Sequence, residues 1–140
     1  MHVQAYLMFD GRCEEAFSFY EHALGAKVQA MMRFKENPDP KYNPPGSGEK
    51  VMHGELKIGE TTIMASDGMN GGNPQFKGIS LALAAADAAD AADAERLFAA
   101  LGKGGQVQMP MSETFFAHRF GMVADKFGVS WMVLAAKTPG

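Results

Sequence analysis

Cysteine is nearly absent from this chain, and that scarcity excludes a good deal. Cys13 is the sole cysteine among 140 residues. No intrachain disulfide and no thiolate metal cluster can form. A lone thiol of this kind reads as a small apolar side chain of the core. An excess of positive charge is also missing. Thirteen Lys and Arg stand against sixteen Asp and Glu, a formal net charge of −3. Binding along a nucleic-acid backbone needs a basic patch, so nucleic acid is not an expected partner. No apolar run approaches the length that crosses a bilayer, so no membrane partner is expected either. The N-terminal MHVQAYLMFDG has no basic segment followed by a long apolar stretch, which is how a secretory leader reads. The expected location is the cytoplasm.

What is present suits one globular domain with a continuous core: 140 residues, 46% of them apolar. Eleven methionines are many for this length, and they favour an adaptable interior or pocket. Val3–Phe9 is short, apolar and bounded by Asp10-Gly11, which reads as a strand. Cys13, Ala16, Phe17, Tyr20, Ala23 and Leu24 then recur at helical spacing, with Gly25 as the stop. Ala26–Phe34 reads as a second strand. Asn37–Gly48 contains four prolines and two glycines and reads as a loop. Val51–Ile58 and Thr61–Ser66 read as strands joined by a Gly59-Glu60 turn.

Residues 67–75 open with DGMNGGN and read as a linker. Beyond it, Gly78–Ala84 reads as a strand. Asp87–Leu101 reads as a helix, with its apolar stripe on Ala94, Leu97, Phe98 and Leu101 and its stop at Gly102. Gln106–Met111, His118–Ala124 and Val129–Ala135 read as strands. The order strand, helix, three strands therefore occurs twice, in residues 1–70 and 76–140. The halves share a helix closing on glycine (Gly25, Gly102), a histidine opening the third strand (His53, His118) and a methionine in the fourth (Met64, Met132). The expected fold is α+β: two βαβββ modules whose curled mixed sheets surround a cavity, with helices outside.

The polar and aromatic residues allow more than one reading. His53 and His118 are placed to bind an acidic group or move a proton, or simply to make hydrogen bonds at strand starts. Phe115, Phe116, Phe120 and Trp131 suit an aromatic wall for a planar ligand, or the core, which is the better assignment for Phe120. Arg119 and Asp125 fall on one strand face and read as an ion pair.

The stretches FDGRCEEAFSFYEHALGA and ETFFAHRFGMVADKFGVSWMV, in this element order, resemble the vicinal oxygen chelate superfamily. That superfamily includes glyoxalase I, extradiol dioxygenases, and fosfomycin and bleomycin resistance proteins. The chain is most similar to the PhnB-like branch, sometimes labelled a 3-demethylubiquinone 3-methyltransferase. Phe19-Tyr20 before Leu24-Gly25-Ala26, the His53 to Asp67 stretch, and Asp125-Lys126-Phe127-Gly128-Val129-Ser130-Trp131 carry the resemblance. It implies paired βαβββ modules, usually in a homodimer. In metal-dependent members it also implies His, Gln or Glu ligands on the first and fourth strands of each module.

Those ligand positions fall here on Ala5 (Gln4 in a slipped register), Met64, Gly78 (Ser80 if shifted by two) and Met132. Thioether sulfur is a poor donor for such ions, so no metal cofactor is expected. A displaced divalent ion held by the histidines with Glu55 or Glu113 is the lesser alternative. The methyltransferase label finds no support in the pattern, because a doubly wound sheet requires alternating strands and helices. The resemblance thus leads to a small organic ligand in an apolar, Met- and aromatic-lined cavity, with His53, Met64, Phe116, His118, Trp131 and Met132 as candidate ligand-binding residues and no catalytic residue assigned. Two alternatives stay open: a metal-dependent lyase, isomerase or dioxygenase of the glyoxalase type, and a protein that sequesters a drug or toxin.

Overall fold

Helix α1 spans Cys13–Leu24 because its apolar residues line one face; Cys13, Ala16, Phe17, Tyr20 and Ala23 are all buried. Gly25 ends it in the left-handed region (φ 68°), where glycine carries no Cβ penalty, and its N–H donates to Glu21 O at 3.1 Å. In the computed structural model, residues 1–68, 74–85 and 91–137 are described. The chain divides into two compact units, residues 1–74 and 75–140.

In the first unit α1 is joined by strands β1 (Tyr6–Met8), β2 (Lys27–Arg33), β3 (Val51–Ile58) and β4 (Thr61–Ser66). The sheet order is β1-β4-β3-β2, with β1 parallel to β4 and the other pairs antiparallel. The proline-rich stretch between β2 and β3 contains two single 3-10 turns, Phe34–Glu36 and Pro40–Tyr42. Phe34 is buried at its start and anchors it to the core.

The second unit repeats the order: β5 (Leu81–Ala85), α2 (Ala91–Gly102), β6 (Gln106–Ser112), β7 (Ala117–Ala124) and β8 (Ser130–Ala136). Its sheet runs β5-β8-β7-β6, with β5 parallel to β8. Two four-stranded mixed sheets with one helix each are what the strand-helix-three-strand pattern predicts. The first strand is shorter than its apolar run, three residues against the seven of Val3–Phe9. Residues 69–73 of the expected linker and 86–90, which include the expected helix start at Asp87, lie outside the described residues. Among the described residues, no helix is long and apolar enough to cross a membrane.

Each sheet packs one face against its helix. On β3, Gly54 and Leu56 point to α1; on β8, Trp131, Val133 and Ala135 take the buried side. Register aligns the units closely. Met64 pairs with Tyr6 and Glu55, and Met132 pairs with Ala82 and Met122. One residue before Glu55 is Gly54; one residue before Met122 is Gly121. A Cβ at Gly54 would stand 2.8 Å from the Phe17 ring of α1, and one at Gly121 would stand 2.8 Å from the Phe98 ring of α2. Both glycines thus let a helix aromatic settle onto the third strand of its unit.

At Gly121 the flexible Met111 side chain shares the space, so Gly54 gives the cleaner test. Gly54→Ala should lower the unfolding free energy by about 1–3 kcal/mol, the usual cost of an overpacked methyl. Urea unfolding measures it. No loss would mean that the buried Phe17 ring slides aside freely.

Candidate functional site

The faces turned away from the helices carry the chemistry. In the first unit that face presents Tyr6 and Met8 from β1, Met64 from β4, His53 and Glu55 from β3, and Met32 from β2, opposite His53. Strand alternation puts Tyr6 beside Met64, while Ala5 falls with Leu7 and Phe9, both buried. The first-strand position facing Met64 is therefore Tyr6 and not Ala5. Gln4 shares the Tyr6 face by alternation, and its amide donates to Thr62 O at 2.9 Å.

Tyr6 Oη lies 2.8 Å from His53 Nδ1, with the two rings 5.6 Å apart. His53 Nε2 lies 3.1 Å from Glu55 Oε2. His53 is about one-third exposed, 32% by side chain, and Glu55 41%. Partial burial raises the Tyr6 hydroxyl above its ordinary pKa, with the nearby Cys13 as the smaller cause. Cys13 is fully buried, and its thiol is pushed up to about 12, first by burial and then by the Asp67 and Glu14 carboxylates. At neutral pH it is an inert thiol, as a core cysteine should be.

In the second unit the open face forms a hollow of about 700 Å³. Met109, Met122 and Met132 supply an apolar floor, with Phe76 and Ile79 beside them. A polar string crosses it: Ser80 Oγ donates to Ser130 Oγ at 2.9 Å, and Ser130 Oγ donates to Gln108 Oε1 at 3.2 Å. Lys77 adds a cation to the lining. This size and mixture suit a small organic molecule.

Within each unit the candidate residues take different places. Met132 lines the hollow. Met64 is its counterpart in the first unit, beside Tyr6 and Glu55. His53 is bound to those same two neighbours of Met64. Trp131 points the opposite way from Met132, is 2% exposed, and donates from Nε1 to Asp125 Oδ2 at 2.9 Å. Phe116 stacks edge-on between Phe115 and Phe120, with centroids 5.2 and 5.3 Å away. His118 is half-buried at the irregularity between Ala117 and Arg119. It is not the equivalent of His53. Counting back from the shared methionine pairs, the residue matching His53 is Phe120.

The expected Arg119–Asp125 ion pair is not formed. Arg119 reaches α2, where its Nε donates to Glu95 Oε1 at 2.6 Å. Asp125 is 3% exposed and accepts from the backbone as well as from Trp131. Residue spacing put Arg119 and Asp125 on one face but could not reveal that a helix carboxylate competes for the guanidinium. Tyr6 was missed because a tyrosine in an apolar first strand reads as core. Its partnership with His53 spans 47 positions of sequence, beyond any local pattern.

Metal binding can be tested on the donors themselves. Among the described residues, no group of three or more His, Cys, Asp or Glu side chains is placed to hold an ion. His53 and Glu55 are bonded to each other, and the fourth strands of the two units carry Met64 and Met132. The described residues do not fit the ligand set that the resemblance implies for metal-dependent members.

Comparisons with known proteins agree with this architecture. A protein from Pseudomonas aeruginosa, PA1353, has a solved structure 43% identical to this chain, with a TM-score of 0.84 and coverage of 96% of this chain and 97% of that one. Protein YjdN of Escherichia coli K12 is 34% identical over 98% of this chain and 97% of its own length. A putative 3-demethylubiquinone-9 3-methyltransferase, PhnB protein, from Bacillus cereus is 26% identical, with a TM-score of 0.79 and coverage of 97% and 100%. The model of the family described as 3-demethylubiquinone-9 3-methyltransferase matches residues 1–134. The chain belongs to that family, and it shares the fold of a glyoxylase/bleomycin resistance protein/dioxygenase domain from Frankia sp. EAN1pec, 16% identical with a TM-score of 0.65.

Proposed function

We propose that this chain binds a small organic ligand against the methionine-rich open faces of its sheets, without the catalytic metal of metal-dependent members, and works as a homodimer. The observation that carries the binding reading is the hollow of about 700 Å³ floored by Met109, Met122 and Met132 and crossed by the Ser80–Ser130–Gln108 string. Unbranched thioether side chains adapt to varied apolar shapes, and the polar string fixes one orientation. The metal-free reading rests on donor chemistry. Methionine occupies the fourth-strand position of both units, and thioether is the wrong donor for hard or borderline divalent ions. The homodimer follows the habit of the superfamily. Exposed Val3, Val107 and Phe115 are apolar area that a second copy would cover.

The experiment is a fluorescence titration with anilinonaphthalene sulfonate, an apolar aromatic anion. Met132→Ala should weaken binding by roughly fivefold. That factor corresponds to about 1 kcal/mol, for a half-covered methionine side chain. An unchanged dissociation constant would place the probe elsewhere. In parallel, protein purified without chelator should take up no stoichiometric Ni, Zn, Mn or Fe on titration. Tight one-to-one uptake by the native protein would overturn the metal-free reading.

A further inference from the structure

Tyr6, His53 and Glu55 form a continuous hydrogen-bonded chain, and the three matching positions of the second unit carry no titratable group. The register equates Tyr6 with Ala82, His53 with Phe120 and Glu55 with Met122. One unit therefore carries three proton-exchanging groups where the other carries Ala82, Phe120 and Met122, which exchange none. Packing does not demand them. Tyr6 is 40% exposed, and the His53 and Glu55 side chains are 32% and 41% exposed. Hydrogen bonds and ion pairs at that exposure add little net stability and cost side-chain entropy.

The proton arrangement is constrained by the two distances. A neutral tyrosine has one proton, and giving it to His53 Nδ1 requires the imidazole to carry its own proton on Nε2. That Nε2–H then donates to Glu55. For a neutral imidazole beside an ionised Glu55, one set of positions satisfies both bonds, and it leaves the Tyr6 oxygen lone pairs as acceptors toward the open face. A carboxylate behind an imidazole holds its tautomer and stabilises the imidazolium that forms when it takes a proton, as in hydrolase triads. Around the chain lie Met8, Met32 and Met64, which offer apolar surface and no competing donor. The groups facing His53 are Tyr6 from β1 and Met32 from β2, with Glu55 on its own strand.

We propose that Tyr6, His53 and Glu55 are a proton relay that ionises an acidic hydroxyl, a phenol or enol, on a small and otherwise apolar ligand lying against Met8, Met32 and Met64. The ligand O–H bond breaks as Tyr6 Oη gains the proton. The tyrosine O–H breaks as His53 Nδ1 gains that one. The products are a ligand oxyanion and an imidazolium paired with Glu55. Only protons move, and no oxidant or further reactant is required. Partial burial that disfavours tyrosinate suits this role, since Tyr6 passes a proton on without remaining ionised. The relay stands on the first unit alone, so it and the hollow of the second unit can fail separately.

The test uses para-nitrophenol, whose ionised form absorbs visible light, at a pH just below its own pKa. Wild-type protein should raise the phenolate absorbance to a plateau. His53→Gln should still take up the probe, measured by equilibrium dialysis, with a phenolate gain at least tenfold smaller. Tyr6→Phe should lose the gain likewise, and Glu55→Gln should reduce it several-fold, because the imidazolium loses its counter-charge. His22→Gln, which alters an exposed histidine on α1 outside the relay, should keep the wild-type signal. Circular dichroism and thermal midpoints check that each variant is folded. Wild-type protein that takes up no probe, or takes it up un-ionised, overturns the proposal. So does an undiminished phenolate signal in His53→Gln.

Discussion

Asp125→Ala should cost about 3–5 kcal/mol, enough to leave the fold marginal against a typical total of about 5–15 kcal/mol. The carboxylate is 3% exposed and sits at the turn between β7 and β8. Its Oδ1 accepts from Phe127 N at 2.9 Å and Val129 N at 3.1 Å, and its Oδ2 accepts from Trp131 Nε1 at 2.9 Å. Removing it strands two buried donors and one partly buried donor, and each orphan costs about 1–3 kcal/mol. The sum is not additive, because the three share one anchor. Asp125→Asn keeps an oxygen for the turn but aims an amide at the indole N–H, and should lose about half as much. Trp131→Phe removes the donor along with its demand for a partner and, although it shrinks the core, should lose less than Asp125→Ala. Urea unfolding followed by circular dichroism reads all three; Trp131 is the single tryptophan and gives a second, local signal in the Asp125 variants. A loss below about 1 kcal/mol for Asp125→Ala would mean that water takes over the carboxylate's role.

Much of this architecture is legible in the residues, and the misreadings have physical reasons. Helix α1 and the hairpin of β3 and β4 follow from local periodicity and from glycine stops, which act over a few residues. The matching of Met64 with Met132 is also legible, since both lie mid-strand in a repeated order, and the strand pairings agree with it. The matching of His53 with His118 is not correct. It counts from strand starts, whereas the methionine pairs set His118 against Val51, two residues before His53. Gly54 and Gly121 are the better sign of the repeat. They are hard to recognise in advance, because a glycine in a strand signals close approach without saying of what. Trp131 and Asp125 were readable as a local cluster, but whether that cluster faces a cavity or the core depends on a one-residue choice of face. Tyr6 depends on a contact across three strands and lies outside what spacing can give.

Asp67 shows the same limit. Its place at the head of DGMNGGN reads as linker, yet it is 4% exposed and among the most connected polar groups of the first unit. Its Oδ1 accepts from Gly11 N at 2.7 Å and Cys13 N at 2.8 Å, and its Oδ2 accepts from Val51 N at 2.8 Å. Arg12, at the N-cap of α1, offers no side-chain cap. Asp67 therefore caps α1 from 54 residues away, satisfying an orphan first-turn N–H and placing a negative charge at the positive end of the helix. It also pins the start of β3 to the end of β4. Asp67→Ala should lose about 2–4 kcal/mol, with the damage centred on the docking of α1. Cys13 reports this directly, because it is the first residue of α1, fully buried and the sole thiol. When labelling proceeds through opening, each 1.4 kcal/mol lost speeds it tenfold, so a loss near 3 kcal/mol predicts roughly hundredfold faster modification by a thiol reagent. Asp67→Asn should fall between, since its amide can serve one side of the junction but repels a donor on the other. If Cys13 labels at the wild-type rate in Asp67→Ala, the helix is held by its apolar face alone and the carboxylate is not the pin.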